Sequence, residues 1–332
     1  MPPTLSICIP TYNRASLLEK CLESIVLSAA KWEGAVELVI SDNASSDETQ
    51  DIGSVFHKRF PYLRYHRNSE NIGPERNFRI AAEMASGVYV WLFGDDDRMT
   101  PEAVSTVLQH LQAGYDLVVM NFSVWSEDFS SVVRSVNIRL ESDQTFVDRN
   151  DLLQAFGGQL GYISNTVIRK SLLLSIPFEE YNSFAKYGAS FLISVYSGLA
   201  THCRAHFISG PLILNRGERS MDEATWDRYF VTGTSLAFES LAKRGYSPLA
   251  IRRAKHRVII DYVIPRIVLS KTDNVVPPSW RLMWRFYATV WSFWLLCVPL
   301  LLAPRGIVRA AREIARLMRG RRSSPHGIQF AG

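Results

Sequence analysis

The stretch Thr4-Leu-Ser-Ile-Cys-Ile-Pro-Thr-Tyr-Asn-Arg14 is a short apolar run that ends abruptly in polar residues. The same pattern recurs downstream, and it predicts strands at about 4–10, 36–42, 62–66, 88–93 and 116–122. The segments between them predict helices at 14–29, 46–59, 75–86 and 100–113. Strands that alternate with helices are typical of βαβ units. The expected fold class is therefore α/β, a mainly parallel sheet flanked by helices.

Polar residues follow four of the predicted strands. They are Thr11 to Arg14, Ser41 to Ala44, Asn68 to Asn77 and Gly94 to Asp97. Functional sites of parallel sheets lie at the carboxyl ends of the strands, where the loops converge. We therefore expect these four loops to form one site.

Asp95, Asp96 and Asp97 follow the apolar run Tyr89-Val-Trp-Leu-Phe93. Three adjacent carboxylates repel one another unless a cation neutralises them. Oxygen ligands at the end of a rigid strand suit Mg²⁺ or Mn²⁺ that bridges two phosphates of a nucleotide and stabilises a leaving diphosphate. The alternative is an acidic helix N-terminus before Pro101, which explains one aspartate better than three.

Four segments in this order resemble glycosyltransferases of family 2, which have the Rossmann-like GT-A fold. They are Ser6 to Arg14, Val39 to Asp47, Asn71 to Asn77 and the aspartate triplet. The resemblance covers about residues 4–120, and it is greatest to bacterial surface-polysaccharide members with a GDDD motif, the abequosyltransferase-like group. It implies transfer of a sugar from a nucleotide-sugar donor to a saccharide acceptor, with Mn²⁺ or Mg²⁺ as cofactor.

The resemblance also implies roles for individual residues. Thr11 and Tyr12 would line the nucleotide base, Asp42 would accept a hydrogen bond from it, and Asp47 would support that loop. The other residues assigned through the resemblance to the nucleotide-sugar are Pro10, Arg14, Asn71, Arg76, Asp95 and Asp96. Asp95, Asp96 and Asp97 are assigned to the metal, and Asp96 falls where an alignment on Pro101 puts the usual metal-binding aspartate. Gly94 stands where many relatives have an aspartate that contacts the ribose.

The loop Asn215-Arg-Gly-Glu-Arg-Ser-Met221 follows an apparent strand at 210–214. Arginines on a glycine-containing loop can close over a diphosphate, so Arg216 and Arg219 are candidate donor contacts. A solvated turn is the alternative. The QxxRW-like motif of processive relatives is absent, which favours addition of a single sugar over chain elongation.

An inverting transferase needs a general base for the acceptor hydroxyl. Relatives often place it in a Glu-Asp pair before an aliphatic helix, but residues 184–190 contain no acid. The nearest carboxylates, Glu179 and Glu180, are the candidates. A pair of surface glutamates is the alternative.

Other site chemistries have less support. His202 and His206 are four residues apart, but the segment is predicted as a strand and no glutamate follows the first, so an ordinary histidine pair is favoured over zinc. There is no GxGxxG after the first strand and no GxxxxGK[ST] motif. The four cysteines form no CxxC pair and fit a reducing compartment.

The C-terminal part is apolar and then basic. Residues 286–303 contain no charge, and the segment from Arg305 to Arg322 has seven arginines against Glu313. This pattern predicts an apolar segment that spans the membrane or lies in its interface, followed by a basic amphipathic helix on an anionic membrane surface. A solvated helix behind a buried core helix is the alternative. Basic charge confined to one end argues against nucleic acid as a partner.

We therefore expect a catalytic domain at 1–220, with a nucleotide-binding half at about 1–122 and an acceptor half at about 123–220. A helical extension at 221–275 and a membrane-associating tail at 276–332 would follow. The N-terminus lacks the order of a signal peptide, so the enzyme is expected at the cytoplasmic face of the inner membrane, acting on a polyprenyl-diphosphate-linked acceptor in O-antigen, capsule or exopolysaccharide synthesis. A sugar nucleotidyltransferase and a non-catalytic nucleotide-sugar or glycan-binding module are the alternatives.

Overall fold

The computed structural model describes residues 2–32, 34–217, 223–273 and 275–320, the side chains of 315–320 excepted. Its ten strands are β1 Leu5–Thr11, β2 Val36–Asp42, β3 Leu63–Arg67, β4 Tyr89–Leu92, β5 Arg98–Met99, β6 Leu117–Trp125, β7 Val132–Arg134, β8 Gln144–Asp148, β9 Thr166–Arg169 and β10 His202–Arg216. All ten belong to one sheet.

The helices of the first half are α1 Ala15–Ala29, α2 Thr49–Arg59, α3 Pro74–Met84, α4 Ala103–Gln112, α5 Arg149–Phe156, α6 Lys170–Leu173, α7 Phe178–Ser183 and α8 Ser190–Gly198. Those of the second half are α9 Glu223–Trp226, α10 Thr234–Lys243, α11 Pro248–Val258, α12 Ile264–Thr272, α13 Trp280–Tyr287, α14 Val298–Leu302 and α15 Arg305–Gly320. Three π-helical segments, Asp227–Gly233, Ile259–Val263 and Phe293–Cys297, precede α10, α12 and α14.

The sheet has the strand order β3-β2-β1-β4-β9-β6-β10-β5, with β7 beside β6 and β8 beside β10. Strands β3, β2, β1 and β4 are parallel, and β10 is parallel to β6. Strand β9 runs antiparallel to both β4 and β6, so these two strands share one direction. The α/β prediction with a mainly parallel sheet is therefore confirmed.

The order reverses at β1, because the chain goes from β1 outward to β2 and β3 and then returns to the other side of β1 with β4. Ligands of open α/β sheets bind at such a switch point, outside the carboxyl ends of the strands. Strands β1 and β4 are parallel neighbours, with Leu5 opposite Tyr89 and Cys8 opposite Leu92, so their carboxyl ends lie at the same edge of the sheet. The loops after β1 and β4 therefore lie side by side.

The five predicted strands and four predicted helices are present with boundaries within three residues. Strand β9 was not predicted, since a four-residue segment carries little periodicity. The chain divides into two compact units, Met1–Ala254 and a second that begins at Lys255. The sequence-based boundaries at 220 and 275 stay predictions.

In the second unit the apolar run 286–303 does not form one helix. Helix α13 ends at Tyr287, helical structure resumes at Trp291, and the π-helical segment leads into α14. In the part of the chain that the structure describes, no single helix combines the length and the apolar character of a membrane span. Phe293–Leu302 and Arg305–Ile314 meet that test only together, and they are bent by 111°.

Candidate active site

A cavity of about 500 Å³ opens at the carboxyl ends of β1 and β4, a volume suited to a small-molecule ligand. Its lining residues come from the ends of β1, β2, β4 and β10, from the loop after β3, from the first turns of α3 and from the segment before β9. They are Pro10, Thr11, Tyr12, Arg14, Asn43, Asn71, Pro74, Asn77, Phe78, Gly94, Asp95, Asp96, Asp97, Tyr162, Ile163, Asn215 and Arg216.

Most residues predicted to bind donor and metal line this cavity. Those that do are Pro10, Thr11, Tyr12, Arg14, Asn71, Asp95, Asp96, Asp97 and Arg216. Asp42, Arg76, Glu179 and Glu180 are not among its lining residues. Arg219 lies outside the described residues.

The turn after β1 directs Thr11 and Tyr12 into the cavity. Asn13 has a left-handed backbone (φ 51°), which asparagine tolerates better than most residues. Its amide donates to Ser45 Oγ (2.9 Å), and its side-chain oxygen accepts from the Ser46 amide (2.7 Å). These bonds tie the end of β1 to the loop after β2.

Asp47 supports the same junction. Its carboxylate accepts hydrogen bonds from the Ala15 amide (2.9 Å), at the start of α1, and from the Thr49 hydroxyl (2.5 Å), at the start of α2. A carboxylate at two helix N-termini satisfies amides that have no partner within their helices. Asp47 therefore joins the N-terminus of α1 to that of α2.

Asp42 is completely buried, and its carboxylate has protein partners. It accepts from the Tyr65 hydroxyl (2.5 Å) and the Ser45 amide (2.9 Å), and Arg67 lies 3.6 Å away. The cavity-lining position in this loop belongs to Asn43. Recognition of the base by Asp42 therefore stays a prediction.

Four asparagine side chains hold the floor of the cavity near β2. Asn43 donates to Asn71 (2.8 Å), and its own oxygen accepts from Asn68 (3.1 Å). Asn68 also donates to Asn77 (3.0 Å), which in turn accepts from Ser41 Oγ (2.7 Å). Because each amide is oriented by the next, the positions of Asn43 and Asn71 at the cavity surface are fixed.

The aspartate triplet is divided between two environments. Arg14 donates to Asp95 Oδ1 (2.9 Å) and to Asp96 Oδ2 (3.2 Å). Asp95 is buried, whereas the Asp96 side chain is 29% exposed toward the cavity. Burial raises the pKa of Asp95 to about 6, against the lowering effect of Arg14, and the charge of Asp96 adds to the rise.

Asp97 is enclosed by donors. Its Oδ2 accepts from the Tyr162 hydroxyl (2.5 Å) and Ser164 Oγ (2.6 Å), while Oδ1 accepts from Asn215 Nδ2 and the Arg216 amide (both 3.1 Å). Burial and the charge of Asp96 raise its pKa to about 7. Four donors leave this carboxylate little capacity for a metal ion, and its arrangement is that of a support for the cavity wall.

Gly94 permits the close approach of these groups. A Cβ atom at this position would lie 2.9 Å from Asp97 Oδ2 and 3.3 Å from Asp96 Oδ1. The absence of a side chain here therefore leaves room for the carboxylates that follow.

The remaining predicted residues have other partners. Arg216 pairs with Glu127 (2.7 Å), so its guanidinium is held at the rim of the cavity. Arg76 Nε donates to Asn182 Oδ1 (2.8 Å). Glu180 forms an ion pair with Arg244, and the assignment of either glutamate as base stays a prediction.

Several lining residues carried no local sequence signal. Tyr162 and Ile163 lie between α5 and β9, where Tyr162 joins two short 3₁₀ segments, Gly157–Gly161 and Ile163–Asn165. Tyr162 packs against Phe122, with ring centroids 4.7 Å apart, and reaches a carboxylate 65 residues earlier in the chain. Such partners are set by the pairing of β9 with β4 and β6, which no short motif encodes.

Glu75 is a buried acid that the sequence analysis did not single out. It lies on α3, is buried beside the N-terminus of α8, and its Oε2 has no hydrogen-bond partner. Burial raises its pKa to about 7, against the lowering effect of bonds from Ser190 and the Phe191 amide. Arg79 and Glu83, four and eight residues further along α3, pair with each other (2.7 Å).

Replacing Glu75 by glutamine is expected to flatten the pH dependence of stability. The pKa of Glu75 is about 7 in the folded state against an ordinary value of 4.5, so the folded state binds the proton more tightly than the unfolded state. The resulting contribution to the free energy of unfolding is complete below pH 4.5 and is lost as pH rises through 7. From pH 5 to 8 the wild type should lose about 2–3 kcal/mol more unfolding free energy than Glu75→Gln. Urea unfolding at both pH values measures this, and equal losses would contradict the assignment.

The fold and the cavity define a glycosyltransferase of the GT-A type, with an acidic motif and a donor-sized cavity at the switch point of an α/β sheet. The chain matches the model of glycosyl transferase family 2 over residues 6–174, which is half of its length. It therefore belongs to that family.

Two relatives give finer comparisons. Abequosyltransferase RfbV of Salmonella typhimurium is 29% identical over 268 residues, which cover 77% of this chain and 80% of that protein. GalNAc(5)-diNAcBac-PP-undecaprenol beta-1,3-glucosyltransferase of Campylobacter jejuni is 32% identical over 179 residues, which cover 54% of this chain and 55% of that protein. The resemblance to abequosyltransferase-like members is confirmed.

Solved structures confirm the fold. The chain is similar to S. aureus TarS 1–349 in complex with UDP, with a TM-score of 0.56, 14% identity, and coverage of 80% of this chain and 75% of that chain. It is also similar to the mannosyltransferase PcManGT from Pyrobaculum calidifontis in complex with GDP-Man and Mn²⁺. That match has a TM-score of 0.53, 16% identity, and coverage of 78% and 70%.

Proposed function

We propose that this glycosyltransferase moves one sugar from a nucleotide-sugar donor to a polyprenyl-diphosphate-linked saccharide during synthesis of a bacterial surface polysaccharide. The observation that carries the donor part is the cavity in which Asp95 and Asp96 lie beside the polar end of β1. The relative that the chain matches in Campylobacter jejuni is named for an undecaprenol-linked substrate, which supports the acceptor part.

The donor's nucleotide would lie over Thr11 and Tyr12, with Asn43 and Asn71 at the side of the cavity. Tyr12 is 42% exposed, so its ring is available for stacking on a base. The amides of Asn43 and Asn71 are held by their neighbours, which keeps the cavity ready for a ligand before it binds.

We propose that Asp96, with Asp95, holds Mn²⁺ or Mg²⁺. Carboxylate oxygens are the ligands such ions prefer, Asp96 faces the cavity, and the two side chains already share a cation in Arg14. The bound ion would supply positive charge against the leaving diphosphate. Arg14, once its two carboxylates are neutralised, would be free to pair with a phosphate oxygen.

A panel of UDP-, GDP-, CDP- and dTDP-sugars tests the function. Donor hydrolysis with Mn²⁺ present, measured as release of nucleoside diphosphate and abolished by chelation, is the expected result. Release of pyrophosphate would indicate a sugar nucleotidyltransferase. The absence of metal-dependent turnover with every donor would favour a non-catalytic binding module.

We also propose that the second unit attaches the enzyme to the cytoplasmic face of the inner membrane. Its surface has exposed apolar side chains next to arginines, as an interfacial helix requires. The exposed apolar residues among the described part of this unit are Val276, Trp280, Trp284, Trp291, Trp294, Leu295, Leu302, Ile307 and Ile314. Trp284 and Trp294 pack edge to face, with centroids 5.3 Å apart, and each remains more than 40% exposed.

Replacing Trp284 and Trp294 together by serine is expected to lower the fraction of full-length protein that floats with anionic liposomes several-fold, because the apolar surface that enters the interface is reduced. The matched control is Leu27→Ser, which removes a 66% exposed apolar side chain from α1 of the first unit and should float like the wild type. Equal flotation of all three proteins would reject attachment through these tryptophans.

A further inference from the structure

A second group of ligating side chains lies far from the donor cavity. It consists of His110 near the end of α4, Asp143 just before β8 and His206 in β10. One ligand atom from each residue lies within 4.8 Å of those of the other two. Asn215, the β10 residue that contacts Asp97, is nine residues beyond His206, which corresponds to roughly 30 Å along a strand. The group is therefore separate from the aspartate triplet.

The two imidazoles are adjacent, and one ring nitrogen is unpaired. His110 and His206 stack with centroids 4.6 Å apart. Thr145 Oγ1 lies 3.0 Å from Nδ1 of His206, whereas Nε2 of the same ring is buried and has no hydrogen-bond partner. A buried polar atom without a partner is uncommon in proteins and calls for a ligand or another explanation.

The carboxylate is oriented by neighbouring donors. Asp143 Oδ1 accepts from the amide (2.8 Å) and the hydroxyl (2.6 Å) of Ser209, and these bonds lower the pKa of Asp143. The carboxylate is therefore held beside the two imidazoles, with one oxygen within 4.8 Å of a ring nitrogen of each.

We propose that His110, Asp143 and His206 bind a divalent transition-metal ion of the zinc class. Two imidazole nitrogens and one carboxylate oxygen suit Zn²⁺, while Mg²⁺ and Mn²⁺ prefer sites made of oxygen. Thr145 and Ser209 hold the ligands from behind, as outer partners do in zinc sites. The ion would join α4, the segment before β8 and strand β10, so its role is structural.

His202, which the sequence pairs with His206 by spacing, does not belong to this group. It is exposed at the start of β10 and has no ligand atom in the cluster. This makes it a matched control, because His202→Ala removes an imidazole from the same strand without touching the proposed site.

The test is a Zn²⁺ titration of the full-length, tag-free protein by calorimetry, with excess Mg²⁺ present to occupy the aspartates. We expect one equivalent to bind the wild type and His202→Ala alike. His110→Ala and His206→Ala should each weaken binding at least about tenfold, since each loses one of three ligands. X-ray absorption of the zinc-loaded wild type should show two imidazoles at about 2.0–2.1 Å.

Two results would overturn the proposal. One is the absence of a zinc equivalent in the wild type, and the other is unchanged affinity in both His110→Ala and His206→Ala. Melting curves in chelator identify a variant that fails to fold. In that case Asp143→Asn, which keeps the side-chain shape but removes the charge, must weaken Zn²⁺ binding for the proposal to stand.

Discussion

Replacing Asp96 by asparagine is expected to lower the rate of sugar transfer about 100-fold or more, which corresponds to about 2.7 kcal/mol of transition-state stabilisation. Asp96 is the aspartate of the triplet whose side chain is 29% exposed and faces the cavity. Asparagine keeps the shape but removes the negative charge, so a divalent ion is held less tightly while the leaving diphosphate develops its charge. Initial rates at saturating Mn²⁺, with the preferred donor from the panel, measure the effect.

Glu127 provides the matched control for this variant. Its carboxylate is 46% exposed and pairs with Arg216 at the rim of the same cavity. Glu127→Gln removes one negative charge near the site without altering the proposed metal ligands, and its rate should stay within a few-fold of the wild type. A wild-type rate for Asp96→Asn would show that this carboxylate does not hold the ion.

Replacing Asp97 by alanine is expected to lower the free energy of unfolding by about 3 kcal/mol and to abolish measurable transfer. The change removes the acceptor shared by Tyr162, Ser164, Asn215 and the Arg216 amide, and a buried donor without a partner costs about 1–3 kcal/mol. The cavity wall formed by these residues would also lose its common anchor. Urea unfolding and a transfer assay measure the two effects.

Asp96→Ala is the control for stability, because it removes the neighbouring carboxylate but leaves no cluster of buried donors unpaired. It should lower the free energy of unfolding by less than about 1 kcal/mol, because exposed ion pairs contribute little to folding. If Asp97→Ala were as stable as Asp96→Ala, the donor cluster around Asp97 would not support the wall of the cavity.

The parts of the fold that could be predicted are those encoded locally. Strands β1 and β4 are apolar runs followed at once by polar residues, so both their positions and the chemistry of their ends are evident from short segments. The contact between Arg14 and Asp95 joins residues 81 apart. The proximity of the two loops, though not this particular contact, followed from the rule that loops of a parallel sheet meet at its carboxyl edge.

The parts that could not be predicted depend on long-range pairing. Tyr162 reaches Asp97 because the short strand β9 enters the sheet between β4 and β6, and the order of strands in a sheet is not set by any single segment. The sequence also could not show that Asp42 has its own partners in Tyr65 and Ser45. The motif that contains Asp42 is a short segment, whereas Tyr65, which contacts its carboxylate, comes from another strand of the fold.

The apolar run 286–303 shows how a backbone constraint changes an expected element. Its π-helical segment, Phe293–Cys297, lies just before Pro299, and the segment Ile259–Val263 lies just before Pro265. Proline lacks an amide proton and its ring crowds the carbonyl four residues earlier, which favours a wider turn at that point. The hydropathy of the sequence indicates that the run is apolar, but it does not indicate that part of the run forms a π-helix.

The most direct test of the donor site is calorimetric titration with the nucleoside diphosphate of the preferred donor, with and without Mn²⁺, in the wild type and Asp96→Asn. The proposed metal site predicts that Mn²⁺ tightens binding at least about tenfold in the wild type, or about 1.4 kcal/mol, and does little in the variant. Equal affinity with and without Mn²⁺ in the wild type, or an undiminished effect of Mn²⁺ in Asp96→Asn, would contradict it.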